Sequence, residues 1–216
     1  NVQDNSTASN EFRTGVLEQM FADPVEAVSG EEGVGSGPFG AGLGGGSSDG
    51  AHTLSALNSL ANKPLDQEKL LEVALKLGSD CPFFIYNSPC YASGRGEIIS
   101  PLDLDLTGLH ILLVNPGLHI NTGKAYSLSN PKLSTRKLPK SIQEEFRMWR
   151  DIISNDFEKV VFDLYPEIGL IKDDLYKMGA LYSAMSGSGS TVFGIFNEKP
   201  KYDLLFSDYY TFYQKL

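Results

Sequence analysis

Apolar residues recur every three or four positions in the segment that follows residue 47. This spacing is typical of an amphipathic helix, because residues that far apart share one helical face. Ser47 and Ser48 are good N-cap residues and Pro64 cannot continue a helix, so we predict a helix between them. The apolar stripe of this helix consists of Ala51, Leu54, Leu57, Leu60 and Ala61.

The rest of the chain alternates between helical and strand patterns. A second helix is predicted over residues 67–77, with Asp66 as its N-cap and Gly78 at its end, and Pro82 is suited to start another. Further helices are predicted over residues 122–128, 141–153, 156–164 and 168–178, and strands over 91–93, 97–99, 109–114, 181–185, 191–196 and 209–213. Strands and helices mixed in this way predict a two-layer α+β architecture.

A glycine-rich segment lies directly before the first predicted helix. Five glycines in seven positions (40–46) would destabilise a helix or a strand, so this segment is a loop. A helix that begins at the end of such a loop adds unpaired N–H groups and the positive end of its dipole. We therefore predict a phosphate-binding loop. Its residues are Pro38, Phe39, Gly40, Ala41, Gly42, Leu43, Gly44, Gly45, Gly46, Ser47 and Ser48.

Two common classes of phosphate loop fit this segment poorly. A P-loop requires a lysine directly after its glycines, and here the next lysine is Lys63. Gly40, Gly42 and Gly45 match the dinucleotide pattern G-x-G-x-x-G literally, but that fold also needs a strand before the loop and another after the helix. The residues before the loop do not read as a strand, and a second helix follows the first. The dinucleotide alternative is therefore disfavoured.

Composition narrows the possible partners. The chain of 216 residues has 18 basic and 27 acidic side chains, a net charge of −9 that argues against nucleic acid or an anionic membrane as partner. No apolar run has the length of a membrane span and no signal sequence is evident, so we expect a cytoplasmic protein. Two cysteines do not suggest a disulfide framework, and the three histidines lack metal-ligand spacing.

Several motifs, in order along the chain, resemble the GHMP-type small-molecule kinases. The loop is similar to the family's P-x-G-x-G-L-G-G-G-S-S, and residues 77–84 (LGSDCPFF) are similar to its L-G-x-D-x-P-F-F segment. Residues 186–193 (SGSGSTVF) and shorter matches at 91–96 and 114–116 agree as well. The resemblance covers about residues 38–216. It is strongest to the branch that phosphorylates 4-diphosphocytidyl-2-C-methyl-D-erythritol.

The resemblance implies a fold and a site. The fold would be a GHMP kinase-like α+β fold of two domains: an incomplete ribosomal-protein-S5-like domain over residues 38–108 and a ferredoxin-like domain over 109–216. The loop would hold ATP, with Ser47 or Ser48 offering a hydroxyl to Mg²⁺. Asp80 would be the catalytic base for the 2-hydroxyl of the small-molecule substrate, and Gly187, Ser188 and Gly189 would line the active site. From the residues alone, a helix cap or dipole partner is the favoured explanation of Asp80. A simple strand connection explains the Gly187–Gly189 turn as well as a role in the active site does.

The chain also departs from the family. Residues 1–37 form an unmatched N-terminal segment whose order the sequence leaves open, and they contain no lysine. In the family, an opening A-K-I-N-L segment supplies the lysine that partners the catalytic aspartate, and a D-G-Y-H segment holds the cytidine base. Two alternatives therefore stay open beside the kinase hypothesis. One is a catalytically inactive nucleotide-binding remnant, and the other is a GHMP kinase for a different small alcohol.

Overall fold

The computed structural model describes residues 41–94, 96, 98–129, 142 and 144–216. These residues fall into two compact units. The first unit is Gly44–Leu102, and the second comprises residues 41–43 together with Asp103–Leu216. The glycine-rich loop is thus divided between the units, with residues 41–43 in the second and residues 44–48 in the first.

The first unit contains three helices and one hairpin. Helix α1 is Gly45–Leu60, α2 is Gln67–Leu77 and α3 is Cys81–Tyr86; strands β1 (Cys90–Ser93) and β2 (Ile98–Pro101) pair in antiparallel fashion. The helices pack on one another around a small core of buried residues, which are Ala51, Ala74, Cys81, Phe83, Phe84 and Cys90. This core fixes the start of α1 next to the start of α3.

The apolar stripe predicted for α1 is only partly buried. Ala51 is 1% exposed, whereas Leu57 and Leu60 are 62% and 82% exposed. The stripe is therefore exposed to solvent in the second half of α1. Helix α1 packs against α2 and α3, and the two stripe residues that contribute to the core of this unit are Ala51 and Leu54.

The second unit is built on a four-stranded antiparallel sheet. Its strands are β3 (His110–Asn115), β4 (Tyr182–Met185), β5 (Val192–Phe196) and β6 (Tyr210–Lys215). Their spatial order is β4-β5-β3-β6, so the first strand of the unit lies between its third and its last. This is the strand order of a ferredoxin-like domain, as predicted from the resemblance.

Within the described part of the chain between β3 and β4, this unit has four helices. They are α4 (Thr122–Leu128), α5 (Phe146–Ile152), α6 (Asp156–Leu164) and α7 (Pro166–Lys177). The core forms where α6 and α7 cover the sheet, and its fully buried side chains include Leu112, Val161, Ile168, Leu175 and Val192. The predicted α+β class is confirmed, with element boundaries within a few residues of those expected from periodicity. Helix α5 is an exception, because it begins at Phe146 rather than near residue 141.

Helices α1 to α7 lie in the described ranges of the chain. None of these helices combines the length and the apolar character that crossing a bilayer requires.

Candidate active site

The first helix begins at a glycine and not at a serine. Gly44 is the N-cap of α1, with φ +70°, and its carbonyl accepts the Ser48 N–H at 2.9 Å. The expectation that Ser47 or Ser48 caps the helix is therefore wrong. A positive φ is accessible to glycine at little cost, so the loop turns directly into the helix three to four residues earlier than a serine cap would allow.

The two serines lie inside the first turn and face different neighbours within the first unit. The Ser47 side chain hydrogen-bonds the sulfur of Cys81, and burial raises the pKa of that thiol more than this bond lowers it. Cys81 is therefore a packed thiol rather than a nucleophile.

Ser48 is adjacent to a histidine one turn further along α1. The Nδ1 atom of His52 is 2.8 Å from the Ser48 carbonyl oxygen and 3.3 Å from the Ser48 hydroxyl. A carbonyl oxygen can only accept, so Nδ1 carries the proton and donates it there. The Ser48 hydroxyl keeps its own proton to donate and its oxygen to coordinate.

Asp80 occupies the N-cap position of α3, but its side chain makes no capping bond to that helix. Pro82 lies in the first turn, as predicted from the sequence. The carboxylate instead lies close to the hairpin turn between β1 and β2. A Cβ atom placed on Gly96 would lie 2.9 Å from the Asp80 Oδ1 atom, and Gly96 has φ +115°. Glycine at this position therefore makes room for the carboxylate, which simple helix capping does not explain.

In the second unit, residues 41 and 42 of the glycine-rich loop pack against the serine-glycine turn that joins β4 to β5. The Ser186 hydroxyl donates to the Gly42 carbonyl at 2.7 Å, and the Thr191 N–H donates to the Ala41 carbonyl at 3.2 Å. A Cβ atom on Gly42 would collide with the Ser186 carbonyl oxygen and lie 2.8 Å from that of Gly189. The two glycine motifs, which lie far apart in the sequence, are thus in direct backbone contact.

The turn itself is tightly held. Gly187 and Gly189 have φ +52° and +93°, and the Gly189 N–H donates to the Ser186 carbonyl at 2.9 Å. The Ser190 hydroxyl donates to the Leu118 carbonyl at 2.6 Å, and the Ser188 hydroxyl is 3.0 Å from that of Thr122. The connection is therefore a fixed structure and not an ordinary flexible loop.

Sequence reasoning identified the glycines of the turn but missed the residues that hold it. The sequence pattern includes Ser186 only as part of a motif and Glu158 only as part of the predicted helix 156–164, and it does not single out Asn155. The one available signal was the position of Asn155 directly before an acidic first turn, which marks a helix cap. Nothing in the local pattern indicates that the same side chain also reaches residues 185 and 187.

The predicted site residues are therefore placed as follows. Pro38, Phe39 and Gly40 lie outside the described residues. The second unit contains loop residues 41–43 and the turn residues Gly187, Ser188 and Gly189. The first unit contains loop residues 44–48 and Asp80. Their predicted roles in ATP binding and in catalysis stay predictions.

Comparison with known proteins agrees with this architecture. The sequence profile of the GHMP kinase N-terminal domain matches residues 21–88, and that of the GHMP kinase C-terminal domain matches residues 138–207. The N-terminal match begins before Pro38, where the motif resemblance starts. This chain belongs to the GHMP kinase family.

Curated relatives narrow the resemblance to one branch. The chain is 48% identical over 164 residues to the 4-diphosphocytidyl-2-C-methyl-D-erythritol kinase of Bacteroides fragilis. The aligned region covers 76% of this chain and 60% of that protein. It is 45% identical over 174 residues to the enzyme of the same name from Parabacteroides distasonis, covering 79% of this chain and 64% of the relative. The chain thus spans about three-fifths of the length of these relatives.

Solved structures show the same fold. A crystal structure of 4-(cytidine 5'-diphospho)-2C-methyl-D-erythritol kinase superposes with a TM-score of 0.68 at 28% identity, covering 92% of this chain and 77% of that one. Homoserine kinase from Cytophaga hutchinsonii superposes with a TM-score of 0.56 at 14% identity, covering 95% of this chain and 76% of that one. The second likeness concerns the fold alone.

Proposed function

We propose that this chain carries the phosphate loop and the catalytic base of a kinase that transfers the γ-phosphoryl group of ATP to the 2-hydroxyl of 4-diphosphocytidyl-2-C-methyl-D-erythritol. Identity of 48% to a curated relative of that name supports this substrate. The observation that carries the proposal is the placement of Asp80. Its carboxylate lies at the start of α3 without capping it, against a glycine that leaves it room.

The loop supports the binding of the nucleotide phosphates. Helix α1 begins directly at Gly45, so the N–H groups of its first turn and the positive end of its dipole face the glycine-rich segment. A Cβ atom on Gly45 or Gly46 would meet nothing within 4 Å, which leaves space over this end of the helix. Residues 38–48 would hold the triphosphate there.

Magnesium would enter the site with the nucleotide. Mg²⁺ usually keeps several waters and takes one or two protein oxygens beside the substrate phosphates. The Ser48 hydroxyl suits this role, because the His52 proton is directed to the Ser48 carbonyl and not to its hydroxyl. Bound there, the ion would neutralise charge on the β- and γ-phosphates.

In the proposed reaction Asp80 accepts the proton of the substrate hydroxyl. The hydroxyl oxygen then forms a bond to the γ-phosphorus, the bond from that phosphorus to the β-γ bridging oxygen breaks, and ADP leaves. Phosphoryl transfer needs little covalent assistance, so positioning by the loop and one well-placed base are the main protein contributions.

The test is release of ADP from Mg·ATP in the presence of 4-diphosphocytidyl-2-C-methyl-D-erythritol, on protein shown to be folded. We expect Asp80→Asn to lower kcat by about 10²–10⁴-fold, the usual contribution of a general base. Asp66→Asn is the matched control, because Asp66 caps α2 through the Lys69 N–H and asparagine caps equally well.

Three results would contradict parts of the proposal. Equal turnover in wild type and Asp80→Asn would remove Asp80 from the base role. Phosphorylation of homoserine in preference to the cytidylyl substrate would overturn the substrate assignment. Nucleotide binding by folded protein without turnover would favour the inactive nucleotide-binding alternative.

A further inference from the structure

Helix α6 begins beside the serine-glycine turn, and its N-cap residue contacts that turn. Asn155 is 6% exposed and its Nδ2 atom donates two hydrogen bonds, at 2.8 Å to the Met185 carbonyl and at 2.7 Å to the Gly187 carbonyl. Its Oδ1 atom accepts the Phe157 N–H at 2.9 Å, which caps the helix. One amide group therefore joins the start of α6 to both sides of Ser186.

A second residue of the same helix secures the strand that leads into the turn. Glu158 is 8% exposed, and its Oε1 atom accepts the Met185 N–H at 2.8 Å. Its Oε2 atom is 2.6 Å from the Lys172 ammonium group on α7. Both backbone groups of Met185 are thus bonded to α6, and the charge of the buried carboxylate is balanced by a lysine.

The chemistry of the cap residue shows which of its two tasks requires asparagine. Serine, aspartate and asparagine are about equally good N-caps, so capping alone does not require an amide. An ionised aspartate accepts hydrogen bonds but donates none, and a serine hydroxyl donates only one. Only an amide can accept the Phe157 N–H while donating to two carbonyls. The two carbonyls of residues 185 and 187 therefore explain the residue type at position 155.

We propose that Asn155, supported by Glu158, is a positioning residue that fixes the Gly187–Gly189 turn, and through Ser186 the Gly42 end of the loop, in the form that binds nucleotide phosphates. The inference rests on the proposed function, since the ligand of the loop is part of that proposal. The contact path is continuous within the second unit: Asn155 bonds residues 185 and 187, and Ser186 between them bonds Gly42.

The decisive variant is Asn155→Asp, which keeps the oxygen that caps α6 and loses both donors to the turn. We expect the Kd for a non-hydrolysable Mg·ATP analogue to rise about tenfold or more, the scale set by losing buried hydrogen bonds. Amide exchange should accelerate at Gly189 and Thr191, whose N–H groups bond Ser186 and Ala41. The Leu181 amide, which bonds Ile195 at the other end of the sheet, should be unaffected.

Val161→Ala is the control for a loss of stability alone. Val161 lies on α6 and is 0% exposed, and its side chain belongs to the core of the second unit. This variant should lower Tm but leave the Kd for the nucleotide analogue within about twofold, because the truncation removes packing and no hydrogen bond to the turn. Asn155→Ser replaces the aspartate variant in this test if that variant fails to fold. Serine keeps the cap and one donor, so the Kd for the nucleotide analogue should lie between those of the wild type and the aspartate variant.

The outcomes separate the inference from the proposed function. Unchanged Kd and unchanged exchange at Gly189 in folded Asn155→Asp would overturn the positioning role, as would an equal rise in Kd for Val161→Ala. Wild-type protein that does not bind the Mg·ATP analogue would overturn the proposed function. The exchange rates of Gly189 and Thr191 in the two Asn155 variants would then still decide whether Asn155 holds the turn.

Discussion

At the scale of single residues, glycine has different physical roles within the same loop. At Gly42 the backbone has φ +78° and a side chain would collide with the carbonyl of Ser186. At Gly45 the residue is helical, and a side chain would meet nothing within 4 Å. The sequence makes these two glycines look alike, because the difference depends on what packs against each one.

Gly42→Ala and Gly45→Ala form a matched pair for testing this difference. We expect Gly42→Ala to reduce the free energy of unfolding by more than about 2 kcal/mol, from the left-handed backbone and the collision together. Gly45→Ala should change it by less than about 1 kcal/mol, in the stabilising direction, because alanine favours the helix. Chemical denaturation of both variants measures the two values. Equal losses would mean that the backbone contact between Gly42 and Ser186 does not form.

At the scale of elements, the ion pair between α6 and α7 supports the strand that enters the turn. Glu158 accepts a backbone N–H of β4 and the ammonium group of Lys172, and the two side chains are 11% and 22% exposed. Removing the lysine would leave a carboxylate with little access to water beside β4. A buried charge without its partner is more destabilising than the absence of both charges.

The effects of substituting Lys172 and Glu158 on the free energy of unfolding should therefore not be additive. Lys172→Met should lower the free energy of unfolding by about 2 kcal/mol, because hydrogen bonds to charged groups are the stronger ones. Adding Glu158→Gln should restore more than half of that loss, since the neutral amide oxygen still accepts the Met185 N–H. A double-mutant cycle by urea denaturation measures the coupling. Strictly additive losses would show that the pair contributes nothing as a pair.

At the scale of the whole molecule, the family assignment and the loop predict that a nucleotide ligand stabilises the folded chain. A ligand that binds only the folded state raises its stability by an amount set by its concentration relative to Kd, about 2.7 kcal/mol at a hundredfold excess over Kd. The proposed phosphate loop should therefore make the thermal stability of the chain depend on nucleotide concentration.

We expect Mg·ATP to raise Tm by several degrees and NAD⁺ to leave Tm unchanged, measured by thermal denaturation at matched concentrations. The contrast addresses the dinucleotide alternative, for whose literal G-x-G-x-x-G match the sequence pattern does not predict the flanking strands. Inorganic phosphate at the same ionic strength is the control for nonspecific anion binding. A shift with NAD⁺ and none with Mg·ATP would revive the dinucleotide interpretation.

The sequence by itself determined the elements and the family. Hydrophobic periodicity located α2 and its cap at Asp66, and the strands of the second sheet, because those features depend on neighbours a few residues away. The glycine-rich segment and the LGSDCPFF motif identified the kinase family for the same reason, since each is a contiguous run of residues.

Only the tertiary structure decided how those parts are supported. It moved the start of α1 to Gly44 and Gly45, brought Ser186 against Gly42, and gave Asn155 two carbonyl partners outside its own helix. These contacts join residues that are up to 144 positions apart. A local pattern carries no information about them, because each depends on which distant backbone group packing brings within hydrogen-bonding distance.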